Sequence, residues 1–112
     1  MKAVHLTRLL VLEQPMQTPD GAGGYATSWA EIGTLWAEVL PGAGRDTGGE
    51  EVTLSRIPYR ITVRAAPEGS DRRPVPGQRL RQGGRLFRIL AVTERDAAGQ
   101  YLTCFSREEE PA

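Results

Sequence analysis

An all-β fold is predicted by three features of the sequence. Short runs of β-favouring residues with two-residue alternation fill most of the chain. Glycine and proline punctuate those runs, and no window keeps apolar residues at helical spacing for three turns. About six strands within 112 residues point to a small barrel or sandwich.

Thr7 to Gln14 reads as the first strand, ending near Pro15. The cluster Asp20-Gly-Ala-Gly-Gly24 then makes a hairpin tip, because glycine tolerates positive φ and Asp-Gly favours a tight reversal. A phosphate-cradling loop would lead from a strand into a helix and often carries a Lys. Here Tyr25-Ala-Thr-Ser-Trp29 is aromatic and β-friendly, and no Lys follows. Tyr25 to Glu31 is therefore the returning strand and Thr34 to Leu40 the next, with Leu35, Ala37 and Val39 opposite Trp36, Glu38 and Leu40. Pro41-Gly42 closes it.

The cleanest alternation is Tyr59 to Ala65: Tyr59, Ile61, Val63 and Ala65 share the core face, while Arg60, Thr62 and Arg64 share the wet one. A polar link, Pro67 to Pro74, leads to a short strand from Gln78 to Arg81. Gly83-Gly84 turns the chain into Leu86 to Val92, and Ala97-Ala98-Gly99 joins that run to Tyr101 to Phe105 as a closing hairpin. The predicted core contains Trp36, Ile61, Val63, Phe87, Ile89 and Leu102. The exception to this economy is Pro41 to Ser55, because a glycine-rich connection of that length is uncommon in a compact domain and is usually functional or disordered.

Length and composition narrow the function. The chain fits one domain, residues 1–112, with a long loop at 41–55 and an acidic tail at 107–112. Fourteen basic and fourteen acidic residues cancel, so net charge argues for neither a nucleic-acid nor a membrane-surface protein. Locally the balance shifts. Between Arg45 and Arg88 ten arginines face five carboxylates. Cys104 is the single cysteine, which excludes an intramolecular disulfide and a thiolate metal cluster and suits a reducing compartment. The run Leu9-Leu10-Val11-Leu12 is too short for a signal segment, and no stretch has the length of a membrane span, so synthesis in a cytoplasm is expected.

No residue set makes an active site, and we assign no catalytic, cofactor or metal residue. His5, the only histidine, sits near the N-terminus without converging partners. Cys104 reads as a small buried apolar residue. The acid pairs Glu50-Glu51 and Glu108 to Glu110 fall in polar segments where carboxylates are usually solvated. Trp29, Trp36, Tyr59, Phe87, Tyr101 and Phe105 interleave with Arg60, Arg64 and Arg88, as a base-stacking surface would require, yet their strand spacing favours packing. The arginines read as contacts between subunits or near phosphates.

Taken in order, these segments resemble the phage head-tail joining family, the small head-completion or stopper proteins of long-tailed phages and gene transfer agents. The likeness runs from about Leu9 to Ser106. It rests on Glu13-Gln14-Pro15, Asp20 to Gly24 with Trp29, Leu35-Trp36-Ala37-Glu38-Val39, a Gly- and Glu-bearing loop, Tyr59 to Arg64, Gly84 to Ile89, and a hairpin ending in Leu102-Thr103-Cys104. The family's usual Arg-Tyr pair is here Arg64-Ala65, which keeps the strand but removes one aromatic contact. The resemblance implies a fold, a small SH3-like or Greek-key β-barrel of about six strands with one long inserted loop, and a structural job. Copies would form a homo-oligomeric ring, a hexamer or else a dodecamer, below the portal and adaptor of a phage-like particle, closing the DNA channel and docking the tail. The expected partners are other copies, the portal or adaptor ring, the tail terminator and the end of the packaged DNA, with no membrane and no small-molecule substrate. Within that reading Gly42, Arg45, Asp46, Gly49, Glu50 and Glu51 form a loop toward the channel or a neighbour, and Glu38, Arg60 and Arg64 are interface candidates. The alternatives are a monomeric nucleic-acid-binding barrel of OB or SH3-like type, or a neighbouring adaptor or tail-terminator ring protein.

Overall fold

The computed structural model describes residues 3–42 and 57–110. Six antiparallel strands form one sheet: β1 (Arg8–Pro19), β2 (Tyr25–Pro41), β3 (Pro58–Arg64), β4 (Arg79–Gln82), β5 (Arg85–Glu94) and β6 (Tyr101–Glu109). The sheet closes on itself in the order β1-β2-β3-β6-β5-β4, with β4 returning to β1 through Val11↔Arg81, Leu12↔Leu80 and Glu13↔Arg79. Among the described residues there is no helix. The one connection between strands that are not neighbours runs from β3 to β4, residues 65–78. Closure gives every barrel strand two partners and leaves no unpaired edge within the barrel wall.

Inward-facing residues of all six strands meet in one core: Leu10, Leu12, Ala37, Ile61, Val63, Leu80, Phe87, Ile89, Leu102 and Cys104 are each at most 1% exposed. Phe87 is the largest of them, and Tyr59 meets its ring edge-on at 5.2 Å and 70°. Cys104 is the small buried residue expected. Burial pushes its thiol up to about 12, so it stays protonated at neutral pH.

Several expectations are corrected here. Trp36 is not core: it is 55% exposed, because Ala37 takes the inward position and the side-chain period of two turns Trp36 out. The stretch read as two strands, Tyr25 to Glu31 and Thr34 to Leu40, is one continuous strand; Leu12 pairs with Gly33 and Glu13 with Glu31, so Ile32 is the extra residue of a β-bulge. Nor does Pro15 end β1. Pairing continues through Pro15↔Trp29 to Pro19↔Tyr25, which is tolerated because that side of β1 is a free edge needing no N–H. Thr62, on the face read as wet, is 3% exposed, since it forms with Thr103 the floor of a groove walled by Ala3, Glu38, Arg60 and Arg95. The acidic tail begins later than expected. Arg107, Glu108 and Glu109 belong to β6, and Glu108 is buried.

Candidate assembly surfaces

Beyond the barrel, β1 and β2 run on as a two-stranded arm. Its six residue pairs extend from Gln14↔Ala30 to Pro19↔Tyr25. Almost every residue in it is exposed, including Met16 at 46% and Tyr25 at 71%. The tip is built as the sequence predicts. The Asp20 carboxylate accepts hydrogen bonds from the amides of Ala22 at 2.8 Å and Gly24 at 3.0 Å, while Gly21 and Gly23 take positive φ. Those two amides hold the carboxyl below its ordinary range, so the tip carries a fixed negative charge. Between Gln14 and Ala30 it is the only charged side chain.

At its root the arm is locked to β4 and β5. Glu13 Oε1 accepts from Arg79 Nε at 2.6 Å and its Oε2 from Arg81 Nε at 2.9 Å, while Arg81 Nη2 also reaches Glu31 at 3.0 Å. Trp29 lies across this cluster, with the Arg79 guanidinium 4.1 Å and that of Arg88 5.0 Å from its ring centroid. Burial alone would raise the Glu13 carboxyl. The two guanidinium hydrogen bonds outweigh it and hold the group below its ordinary value. A second lock closes the far side: Glu108 accepts from Arg85 at 2.8 and 3.0 Å, and Arg85 donates on to the Tyr59 hydroxyl at 3.2 Å over the Phe87 ring. That fork holds the Glu108 carboxyl down despite its burial.

These locks revise the sequence reading of the arginines. Arg79, Arg81, Arg85 and Arg88 are spent within the chain, with Arg88 paired to Glu109 at 3.4 Å. Glu108 and Glu109, read as solvated, are two of their partners. Part of the signal was available: Arg79, Arg81 and Arg88 sit on β4 or β5 in outward register, whereas Arg85 shares the inward face of Phe87 and Ile89, and only knowledge of which strand lies alongside reveals each acid.

Glu38, Arg60 and Arg64 share the outer face of β2, β3 and β6. Glu38 pairs across to Thr62, which stands between Arg60 and Arg64, and its Oε2 accepts the His5 amide at 3.1 Å. Sequence reasoning missed the apolar patch at one end of this face. Leu40 at 44%, Phe105 at 40% and Leu90 at 50% exposure adjoin through the pairs Leu40↔Arg60, Arg60↔Phe105 and Ala91↔Phe105, beside a bulge that turns Leu90 outward. Arg60 stands between Leu40 and Phe105 and Arg107 lies two residues beyond Phe105, both exposed. Gly42 lies beside this patch and donates its amide to the Pro58 carbonyl at 2.8 Å. Arg45, Asp46, Gly49, Glu50 and Glu51 lie outside the described residues. His5 is exposed, and among the described residues no cluster of His, Cys, Asp and Glu could hold a metal.

Comparison with known proteins agrees with this geometry. A chain in the virion of a native gene transfer agent particle is 56% identical, with a TM-score of 0.78, covering 96% of this chain and 98% of that one. A protein of Shigella flexneri 2a, solved in solution, shares the fold at a TM-score of 0.66 and 24% identity, covering 96% of each chain. No curated protein matches. The phage head completion protein family matches residues 1–109, so the chain belongs to that family.

Proposed function

We propose that the protein is the head-tail connector of a phage-like particle, a structural virion component of the stopper type that closes the DNA channel and offers the tail its platform. The carrying observation is the 56% identity, over nearly the whole of both chains, to a component of a gene transfer agent virion. Copies assemble as a ring below the portal and adaptor, six being the favoured number, since closed cyclic symmetry lets identical small subunits encircle a channel. The connection from Pro41 to Ser55 is the element that reaches the channel or a neighbouring ring, with Arg45 toward phosphates and Glu50-Glu51 toward basic partners. Gly42 and Pro58 support this reading, because their backbone bond brings both ends of that connection together at the barrel rim.

Removing Gly44 to Gly49 tests the proposal. Shortening a surface connection costs little stability, so the chain should fold with an unchanged thermal midpoint. Particles built with it should leak DNA or fail to attach tails. Normal DNA retention and tail joining, or the absence of ring density at the head-tail junction of unmodified particles, would overturn it.

A further inference from the structure

The arm and the apolar patch stand at opposite ends of the same strand. Tyr25 and Leu40 are fifteen residues apart on β2, roughly 50 Å at about 3.3 Å per residue, which matches the longest dimension of the molecule, 53 Å. One copy cannot bring them together. Their chemistry is nevertheless complementary. The arm exposes Tyr25 beside the lone negative charge of Asp20, with Met16 on its other face, and the patch exposes Leu40, Leu90 and Phe105 with Arg60 set between Leu40 and Phe105 and Arg107 beside them. A two-stranded ribbon of this kind is marginal in water unless something covers it.

We propose that the arm of one copy docks on the Leu40–Leu90–Phe105 patch of a second copy, with Asp20 against Arg60 or Arg107. Because the two surfaces differ and lie at opposite ends, the contact is head-to-tail. It repeats from copy to copy and closes as a ring when the rotation permits. The area is consistent with that role. Six residue pairs make a ribbon roughly 20 Å long and about 10 Å wide, so the face laid on the patch covers on the order of 200 Å², about a quarter of the ~800 Å² per partner that a stable interface uses, and the arm is one part of the contact between copies. The proline pattern fits docking by the faces of the ribbon: Pro15 and Pro19 remove two N–H donors from the free edge of β1 and so discourage uncontrolled strand addition there. This inference rests on the ring reading only for its closure.

The test is disulfide trapping in the full chain and in particles, combined with native mass spectrometry of the unmodified protein. With Tyr25→Cys and Leu90→Cys together, mild oxidation should give a ladder of cross-linked multimers, and neither single variant should. Native Cys104 is buried and stays out of the reaction. Tyr25→Asp should abolish the multimers while leaving the thermal midpoint of the monomer within a degree or two. Rings that form without the Tyr25–Leu90 cross-link would overturn the docking and leave the ring standing. Cross-linked pairs that never close would support the docking and count against the ring. Trapping of the arm on a different particle protein would overturn the choice of a second copy as occupant.

Discussion

The barrel and the arm are made from the same two strands, yet they are held together by different physics. From Arg8 to Leu12, β1 is paired with β2 on one side and reaches β4 on the other, and Leu10 and Leu12 point into a core they share with the five other strands. Past Glu13 the same strand has one partner, no core and water on both faces. Hydrophobic burial stabilises the first region. Nothing in the described chain buries the second, and the ion pairs, the Trp29 stack and a hydrogen bond from Gln78 Nε2 to Gln14 Oε1 at its root fix where it points. Burial is non-directional and makes the barrel robust, whereas a lock of guanidiniums and carboxylates sets an angle without adding much stability. A projecting element whose direction is fixed at its root suits an assembly protein.

The largest way to break this contrast is to open the core. Phe87→Ala removes the ring that fills the centre beneath Tyr59 and Arg85, and should cost about 3 to 5 kcal/mol. Ile61→Ala, in the adjoining wall, should cost about 2 to 5 kcal/mol. Urea unfolding with an unchanged slope would verify both. A loss below 1 kcal/mol for either would mean that the core is not where it is placed here.

A smaller effect separates the lock from the core. Glu13→Gln keeps the shape of the side chain but removes the charge that holds Arg79 and Arg81, and should cost about 1 to 3 kcal/mol. Hydrogen exchange should accelerate in the arm, from Gln14 to Ala30, more than in β3 or β6. Acid should act in the same direction. Glu13 and Glu108 both have folded values depressed below an ordinary value of 4.5, so their contribution is fully present above that pH and is lost as pH falls through the lower folded values. Stability of the natural chain should therefore fall on acidification below about pH 4.5, and that of the Glu13→Gln variant should fall less steeply. Equal slopes for the two proteins would remove Glu13 from the account.

The barrel was far more legible in the sequence than the candidate assembly surfaces around it. Alternation around Ile61 and Val63, and turn chemistry at Asp20, Gly83 and Gly99, are local signals, and they place strands correctly because a strand's faces are decided by its own residues. Pairings between distant strands are not local. Nothing near Arg79 announces Glu13, and nothing near Phe105 announces Leu40; closure of the sheet brings each together. The arm was hidden for a related reason. Pro15 ordinarily ends a strand, and its tolerance here depends on the absence of a neighbour on that side, which only the closed topology reveals. The interface candidates Glu38, Arg60 and Arg64 do fall on one face, because outward register was readable even when its neighbours were not.

Trp36 provides the finest test of the boundary between the two regions. A tryptophan beside Leu35 and Ala37 looks like core by composition, and that expectation failed because alternation is stricter than hydrophobicity: once Ala37 is fully buried, its neighbour must face out. Leu9 pairs directly with Trp36 and is itself 45% exposed, so the two form an apolar pair on the barrel's outside. Such cross-strand pairs contribute roughly 0.2 to 1 kcal/mol. Trp36→Ala should therefore cost less than about 1 kcal/mol, well under any core truncation, and its fluorescence should show the red-shifted emission of a wet indole in the isolated chain. A loss of 3 kcal/mol or more, or a blue-shifted Trp36 emission in the isolated chain with Trp29 replaced by Phe, would place this residue inside and invert the register of β2 against β3.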